Sequence, residues 1–462
     1  MVRNRLGLRT DRHLSIAGLQ TMINSGDIDT VIVCFTDMQG RLQGKRMHAN
    51  YFADHVLEHG TEGCNYLLAV DVEMTTVDGY AISSWERGYG DMLFVLDTET
   101  LRLLPHQPGA AMVQCDLAWL DRTPVAQSPR TILRSQLDRL AERGWRAMAG
   151  TELEFMVFDT GYADAQAAGY HDLVPAVSYN ADYSILAGSR IEPLLRDIRN
   201  TMYGAGMNVE SAKGECNLGQ QEIGFLYADA LTTADNHVVY KNAAKEIAAA
   251  HGKSITFMAK YDHREGNSCH IHLSLRDQAD RPVFAGRDGR TPIYDHFIAG
   301  VLATMADFTL LYAPNVNSYK RFADGSFAPT TIAWGEDNRT CAVRLVGEGP
   351  SARLENRVPG GDVNPYLALA AMIAGGLYGI DQELPLPDPV TGNAYAAGGS
   401  SGLARVPSTL AAARDAFTGS AVTRALLGDE VVEHYAHMAD VELAAFNAAV
   451  TDWERRRGFE RM

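Results

Sequence analysis

The sequence has no GxxxxGK[ST] loop and no GxGxxG fingerprint. A phosphate-bearing ligand must therefore be held outside the familiar glycine-rich cradles. Cysteine is scarce, and the six residues at 34, 64, 115, 216, 269 and 341 form no CxxC pair. Nothing suggests a disulfide framework, which fits a reduced, cytoplasmic setting. Positive charge is also short: 41 Lys and Arg stand against 57 Asp and Glu, giving a net charge of −16. General nucleic-acid binding needs a basic face and is disfavoured. An anionic ligand would need locally clustered arginine or lysine. No apolar run reaches the ~18 residues of a membrane span. The first residues are basic without an apolar core segment, so neither a signal peptide nor a membrane partner is expected. The chain of 462 residues is 46% hydrophobic, ample for a large core and more in keeping with two domains than one.

The sequence does have carboxylates on strands. Gly150 to Phe158 reads GTELEFMVF, and alternate strand residues share a face. Glu152 and Glu154 then point together, with Leu153 and Phe155 opposite. Two adjacent carboxylates repel and are costly to bury unpaired, so something positive should sit beside them. A solvated edge strand would explain this stretch equally well. Three further segments weigh against that. GECNLGQQE sets Glu215 and Glu222 on either side of a glycine-containing bend. CHIHLSL places His270, His272 and Ser274 at period two, and RLENR does the same for Arg353, Glu355 and Arg357.

Along the chain, Leu14 to Asn24 predicts a short amphipathic helix. Thr30 to Asp37, Asp91 to Asp97 and Ala111 to Asp116 predict strands, so the first ~115 residues read as a small α+β domain. Asp71 to Gly90 is a polar loop of the kind that carries function. Ser128-Pro129-Arg130 starts a helix that Gly144 ends. Residues 159–178 read as loop, Ile191 to Tyr203 and His237 to His251 as helices, and Ser254 to Lys260 as a strand. Thr291 to Leu311 reads as mainly helix and Asn315 to Trp334 as loop. Asn364-Pro365 opens an Ala-rich helix running to about Gly379. Residues 382–406 are loop, and the remainder is helical. The domains divide at 1–120 and 121–462.

Glu152, Glu154, Glu215, Glu222, His270 and Glu355 make a ligand set of five carboxylates and one imidazole. Such oxygen-rich sets favour Mg²⁺ or Mn²⁺ over Zn²⁺, and five carboxylates suit two or more ions. With Arg321, Arg339, Arg344, Arg353 and Arg357 nearby, the set would suit phosphoryl transfer, which depends on positioning and charge stabilisation. His272 could instead be a core histidine, and Arg339 and Arg344 could form structural ion pairs.

These motifs, in order, resemble the glutamine synthetase family: GTELEF, GECNLGQQEI, TFMAK then GNSCHIHLSL, NSYKR, NRTCAVRL and ARLENRVPGGDVNPYLALAAM. The resemblance covers most of the chain. It implies an N-terminal β-grasp domain and a C-terminal catalytic domain with an antiparallel sheet. It implies Glu152, His270 and Glu355 on one metal, and Glu154, Glu215 and Glu222 on the other. Glu210 and Ser274 match nucleotide-contacting positions; Arg344 and Arg353 would also serve ATP. Gly266 and Arg321 match glutamate-binding positions, and Arg339, Arg344 and Arg357 the arginines that hold phosphate and glutamate. The family joins ammonia to glutamate through γ-glutamyl phosphate, at sites between neighbouring subunits of a double-ring dodecamer. The Asp71 to Asp91 loop would complete the next subunit's site.

Two departures bear on the amine. The family's closing loop carries a glutamate that attracts ammonium, whereas here FADGSFAPTT puts Phe327 at that position. A phenyl ring can line an apolar pocket or offer a cation–π face, but it takes no proton. The family's acidic Asp-Gly-Ser-Ser run is likewise replaced, by DVEMTTVDGYAISSW. The sequence thus looks like the γ-glutamyl-amine ligase branch, with ethanolamine weakly favoured over putrescine or polyamines. The alternatives are a glutamine synthetase using ammonium, which Phe327 disfavours, and a catalytically silent structural or regulatory relative, which the full ligand set disfavours. Asp71, Asp78 or Asp91 would orient or deprotonate the amine. A third departure is Tyr395: it precedes Ala-Ala-Gly rather than the Asp-Leu-Pro of the adenylylated family members, so that regulation is not expected.

Overall fold

The computed structural model describes residues 14–287, 289–397 and 402–462. The basic N-terminal stretch and part of the 382–406 loop lie outside the described residues. Five strands form a first sheet: β1 (Thr30–Thr36), β2 (Leu42–His48), β3 (Thr61–Cys64), β4 (Asp91–Leu103) and β5 (Ala110–Ala118). Their order is β2-β1-β5-β4-β3, with β1 parallel to β5 and the other pairs antiparallel. The apolar run of β1 is buried from Val31 onward because strands flank it on both sides. The expected first helix spans Ile16–Ser25, capped by the Ser15 hydroxyl and closed by Gly26 in the left-handed region. The polar four-residue β3 has no hydrophobic alternation that could have announced it.

A second, nine-stranded sheet carries the charged segments. It contains β6 (Trp145–Phe158), β7 (Val209–Gly214), β8 (Gln220–Phe225), β9 (Ala228–Asp229), β10 (Ser254–Thr256) and β11 (Cys269–Asp277). After a small β12–β13 hairpin (Ala285–Gly286, Gly289–Arg290) come β14 (Trp334–Glu336), β15 (Val343–Val346) and β16 (Arg353–Asn356). The order is β14-β15-β16-β11-β6-β8-β7, with β9 and β10 also bonded to β6. The 14-residue β6 is therefore a central strand, and the solvated-edge reading of Glu152 and Glu154 falls. Leu153, Phe155, Ile223, Ile271, Leu273 and Leu354 are all fully buried. Helices Pro129–Ala141 and Ala230–Ala250 pack on β6, and Pro365–Asp381 packs on both helices. That last helix is apolar on every side because it is buried on every side.

Several element boundaries differ from expectation. Residues 159–178 contain a helix, Tyr162–Ala167, which buries only Ala165 and so shows no amphipathic period. The strand predicted over 254–260 stops at Thr256. The helix expected from His237 begins at Ala230, where Asp229 accepts from the Thr232 amide. The helix over 291–311 breaks at Thr304, whose hydroxyl donates back to the Gly300 carbonyl. Within the loop over 315–334, Val316–Arg321 is a 3₁₀ turn.

One buried charge cluster ties the two sheets together. The Arg130 guanidinium donates to Asp97, Asp116 and Asp235 at 2.6 to 3.0 Å. Tyr366 donates its hydroxyl to Asp235 at 2.6 Å. Burial alone would raise the Asp97 carboxyl, but Arg130 and Arg134 outweigh it and hold it low. His434 is buried under the Asp71–Gly90 loop, its ring tilted against Tyr80, and burial lowers its pKa to about 3. Both folded-state values lie below those of the unfolded chain. Their stabilisation is present at neutral pH, begins to fall below ~6.5 as histidine protonates in the unfolded state, and falls further below ~4 through Asp97. Urea unfolding midpoints measured from about pH 8 to about pH 2.5 should decline in that order, and a flat profile would contradict it.

Candidate active site

Cross-strand register builds the site. Directly paired residues of neighbouring strands put their side chains on one face. Glu152 pairs with His270 and His272 with Glu355. Glu355 in turn pairs with Arg344, which gives a row Arg344–Glu355–His272 across three strands. A second row, Lys213–Glu222–Glu154, crosses β7, β8 and β6. Since Glu152 and Glu154 are two residues apart on one strand, both rows lie on the same face, opposite the apolar one. Glu215 follows β7 in the bend and joins Glu154 and Glu222, with ligand oxygens mutually within 4.8 Å.

The electrostatics follow from this crowding. The His272 Nε2–H donates to Glu152 at 2.9 Å, and its Nδ1 accepts from Arg353 Nε. Both ring nitrogens of His272 thus face charged side chains of the site rather than apolar core. His270 Nδ1 stands 3.5 Å from both Glu152 and Glu355. Burial alone would raise the Glu152 carboxyl, yet hydrogen bonds from His270 and His272 hold it far below its ordinary range. Glu355 is fully buried between Arg344 and Arg357, so Arg344 does serve as an ion-pair partner. Burial first, then the charge of Glu152, pushes the Glu222 carboxyl up to about 8.

Among the described residues, two oxygen-rich groups could hold a cation: Glu152, His272 and Glu355, and Glu154, Glu215 and Glu222. A third, Asp182, Glu215 and Cys216, includes a thiol that a hard ion does not favour. His270 adjoins the first at 3.5 Å. Cis ligands of a Mg²⁺-sized ion lie ~3 Å apart, so small side-chain rotations close either group. Both sets are oxygen-rich, as a hard divalent ion requires, and the raised Glu222 carboxyl marks a place short of positive charge. The residues therefore fit the expected metals.

Two cavities flank the cluster and share Glu152 and Glu222 as a common wall. The larger, of about 620 Å³, is lined by Glu210, Ser274, Arg353 and Tyr227 among others. The smaller, of about 320 Å³, is lined by Gly266, His270, Phe327, Arg339, Arg344 and Arg357, with Asp182 and Tyr183. Thus the expected nucleotide residues Glu210, Ser274 and Arg353 line one cavity. Most of the expected glutamate and phosphate residues line the other. Arg321 lies behind that wall, buried, its guanidinium spent on the Val358 carbonyl and near Ser268. It approaches through Gly266, where a Cβ would come within 2.9 Å of the Arg321 Cγ.

Phe327 is half exposed at the smaller cavity, in the left-handed region at φ 59°. A bulky residue there is strained, which signals that the surrounding loop dictates its pose. Tyr395 donates its hydroxyl to the adjacent Ala328 carbonyl at 3.1 Å. Its oxygen thus braces this loop. Asp71 and Asp91 line neither cavity. Asp71 caps the Glu73 and Thr75 amides of its own loop, and Asp91 lines a separate cavity with Tyr80, Trp119 and His437. The sequence reading missed Lys213, which pairs with Glu215 and Glu222. It also missed Asp182. Period-two spacing from Glu215 could have found Lys213, but nothing in the sequence around Asp182 sets it apart.

Comparison with known proteins adds independent findings. The family model described as glutamine synthetase, catalytic domain, matches residues 126–458. A γ-glutamylethanolamide synthetase of Streptomyces coelicolor, GlnA4, is 60% identical over 97% of this chain and 96% of its own length. A glutamate–isopropylamine ligase of a Pseudomonas species is 37% identical over 96% of this chain and 97% of its own. The solved GmaS/ADP complex superposes with a TM-score of 0.84 at 29% identity, covering 96% of this chain and 99% of that one.

Proposed function

Because the chain belongs to the glutamine synthetase family, we propose that it joins the γ-carboxyl of glutamate to a small alkylamine, ethanolamine foremost, with ATP as co-substrate. The observation that carries this reading is a complete carboxylate–imidazole–arginine cluster beside a cavity whose mouth presents Phe327 instead of a carboxylate. The name of the 60%-identical relative supports the choice of ethanolamine.

In this reading ATP fills the larger cavity, against Glu210, Ser274 and Arg353, and glutamate fills the smaller. Two or more Mg²⁺ or Mn²⁺ ions, when bound by Glu152, His270 and Glu355 and by Glu154, Glu215 and Glu222, supply charge neutralisation at the phosphates. The chain's own work is positioning. The shared wall brings the γ-phosphate and the γ-carboxylate face to face, and Arg339, Arg344 and Arg357 stabilise the transferring charge. Phosphorylation turns the carboxylate oxygen into a good leaving group. The bound alkylammonium gives up a proton, and the free amine attacks the acyl carbon. The C–O bond to phosphate breaks and phosphate departs, and the nitrogen loses its second proton to leave the amide. The Phe327 loop, which Tyr395 braces, would border the amine. Asp71 and Asp91 would act on the site of a neighbouring subunit within a dodecamer of two hexameric rings.

The test is phosphate release with ATP, Mg²⁺ and glutamate against ammonium, ethanolamine, isopropylamine, putrescine and spermidine, with products identified by mass. Ethanolamine should exceed ammonium clearly, and F327E should shift that ratio toward ammonium by about tenfold or more. Preference for ammonium by the unaltered protein would overturn the reading.

A further inference from the structure

Resting on that reading, the further question is which group receives the charged head of the amine. Six carboxylates line the smaller cavity: Glu152, Glu154, Glu215, Glu222, Glu265 and Asp182. The first four belong to the two cation-holding groups and are already engaged: Glu152 with His270 and His272, Glu154 with the Ser268 amide and Gln220, Glu215 and Glu222 with Lys213. Asp182 and Glu265 remain.

Asp182 has the better placement. Its oxygens lie within 4.8 Å of ligand atoms of Glu215 and Cys216, at the rim of the cation-holding bend. Among the described residues its only side-chain partner is the Cys216 thiol, at 3.5 Å. A thiol is only a weak hydrogen-bond donor, so this contact gives the carboxylate no cationic partner. No lysine, arginine or histidine among the described residues pairs with the carboxylate. The charged and titratable groups nearest it are Glu215, Cys216 and, beyond Glu215, Lys213.

The backbone around Asp182 is fixed. The Tyr183 amide donates to the Gly214 carbonyl, and the Asp182 amide donates to the Asn180 side chain. A Cβ at Gly214 would fall 2.4 Å from the Ala181 carbonyl, so only glycine lets this segment sit directly on the end of β7. The side chain is exposed rather than folded away. A fixed, unneutralised carboxylate thus stands at the same cavity as an exposed aromatic ring, Phe327. An alkylammonium offers a cationic head for the first and carbon atoms for the second.

We propose that Asp182 receives the alkylammonium head of the amine substrate, replacing the carboxylate that the loop at Phe327 does not provide. It acts by charge at the binding step.

The test compares D182N with the parent protein and with E265Q, using ethanolamine and hydroxylamine as nucleophiles. Hydroxylamine is already neutral at neutral pH and needs no anionic receptor. D182N should raise the KM for ethanolamine by tenfold or more while leaving the KM for ATP and the rate of γ-glutamyl hydroxamate formation within about twofold. Raising the pH should partly restore D182N with ethanolamine, because more of the amine is then uncharged. Loss of both reactions in D182N would overturn the proposal, since the residue would then support the cation-holding bend. So would loss of ethanolamine turnover in E265Q with D182N unaffected. Failure of the parent protein to make either product would instead overturn the ligase reading itself.

Discussion

Substituting Glu355 with glutamine should cut ligase turnover about a thousandfold. Glu355 is fully buried, accepts from both Arg344 and Arg357, and faces His270 Nδ1 at 3.5 Å. Glutamine keeps the volume but removes the charge and turns an amide NH₂ toward one of two guanidinium groups. The Arg344–Glu355–His272 row loses its centre, and the Glu152, His272 and Glu355 group loses an anionic ligand. Metal affinity should fall as well, by about 10- to 100-fold or more. Turnover under saturating Mg²⁺ and binding of Mn²⁺ read the two effects separately. Near-normal turnover would mean that this cluster is not the catalytic centre.

The second large effect concerns stability. Replacing Arg130 with methionine should destabilise the protein by about 3–5 kcal/mol. Three carboxylates, those of Asp97, Asp116 and Asp235, converge on the buried guanidinium. Methionine fills part of the space and leaves those charges facing one another. Asp235, almost fully buried, has little access to water as an alternative. Combining R130M with D235N should recover part of the loss, because the two residues share one network. Urea denaturation measures both. A loss below about 1 kcal/mol would show that Arg134, which also pairs with Asp97 and Asp116, suffices alone.

The sequence revealed the ligand set because a β-strand has an exact period. Glu152 and Glu154, His270 and His272, and Arg353 and Glu355 each announce a shared face, and the strands then align them. It could not reveal which rows would meet, since register belongs to pairing between strands far apart in the chain. Nor could it show that Arg321 would be buried behind Gly266, because burial of a charged side chain leaves no local pattern. The first two turns of the helix that begins at Ala230 were hidden by its threonines and Asp235, which favour caps and turns when read alone. Asp182 had no periodic partner, and its importance comes from a packed turn that only the three-dimensional structure displays.

The cross-strand rows also determine which changes of length this chain can survive. Deleting one residue from β11 between His270 and His272 would send one of the two imidazoles through the sheet into the apolar layer, and its neighbours would follow. The loop carrying Phe327, by contrast, joins no row and, among the described residues, pairs with no strand of the large sheet. Descendants of such a sequence can thus change the side chains of that loop without shifting the strand register of the carboxylates. The loop's one tie to them among the described residues is the Phe327 carbonyl, which accepts from Arg357. Drift is confined to the part that meets the amine, while the strands beneath are locked against insertion and deletion.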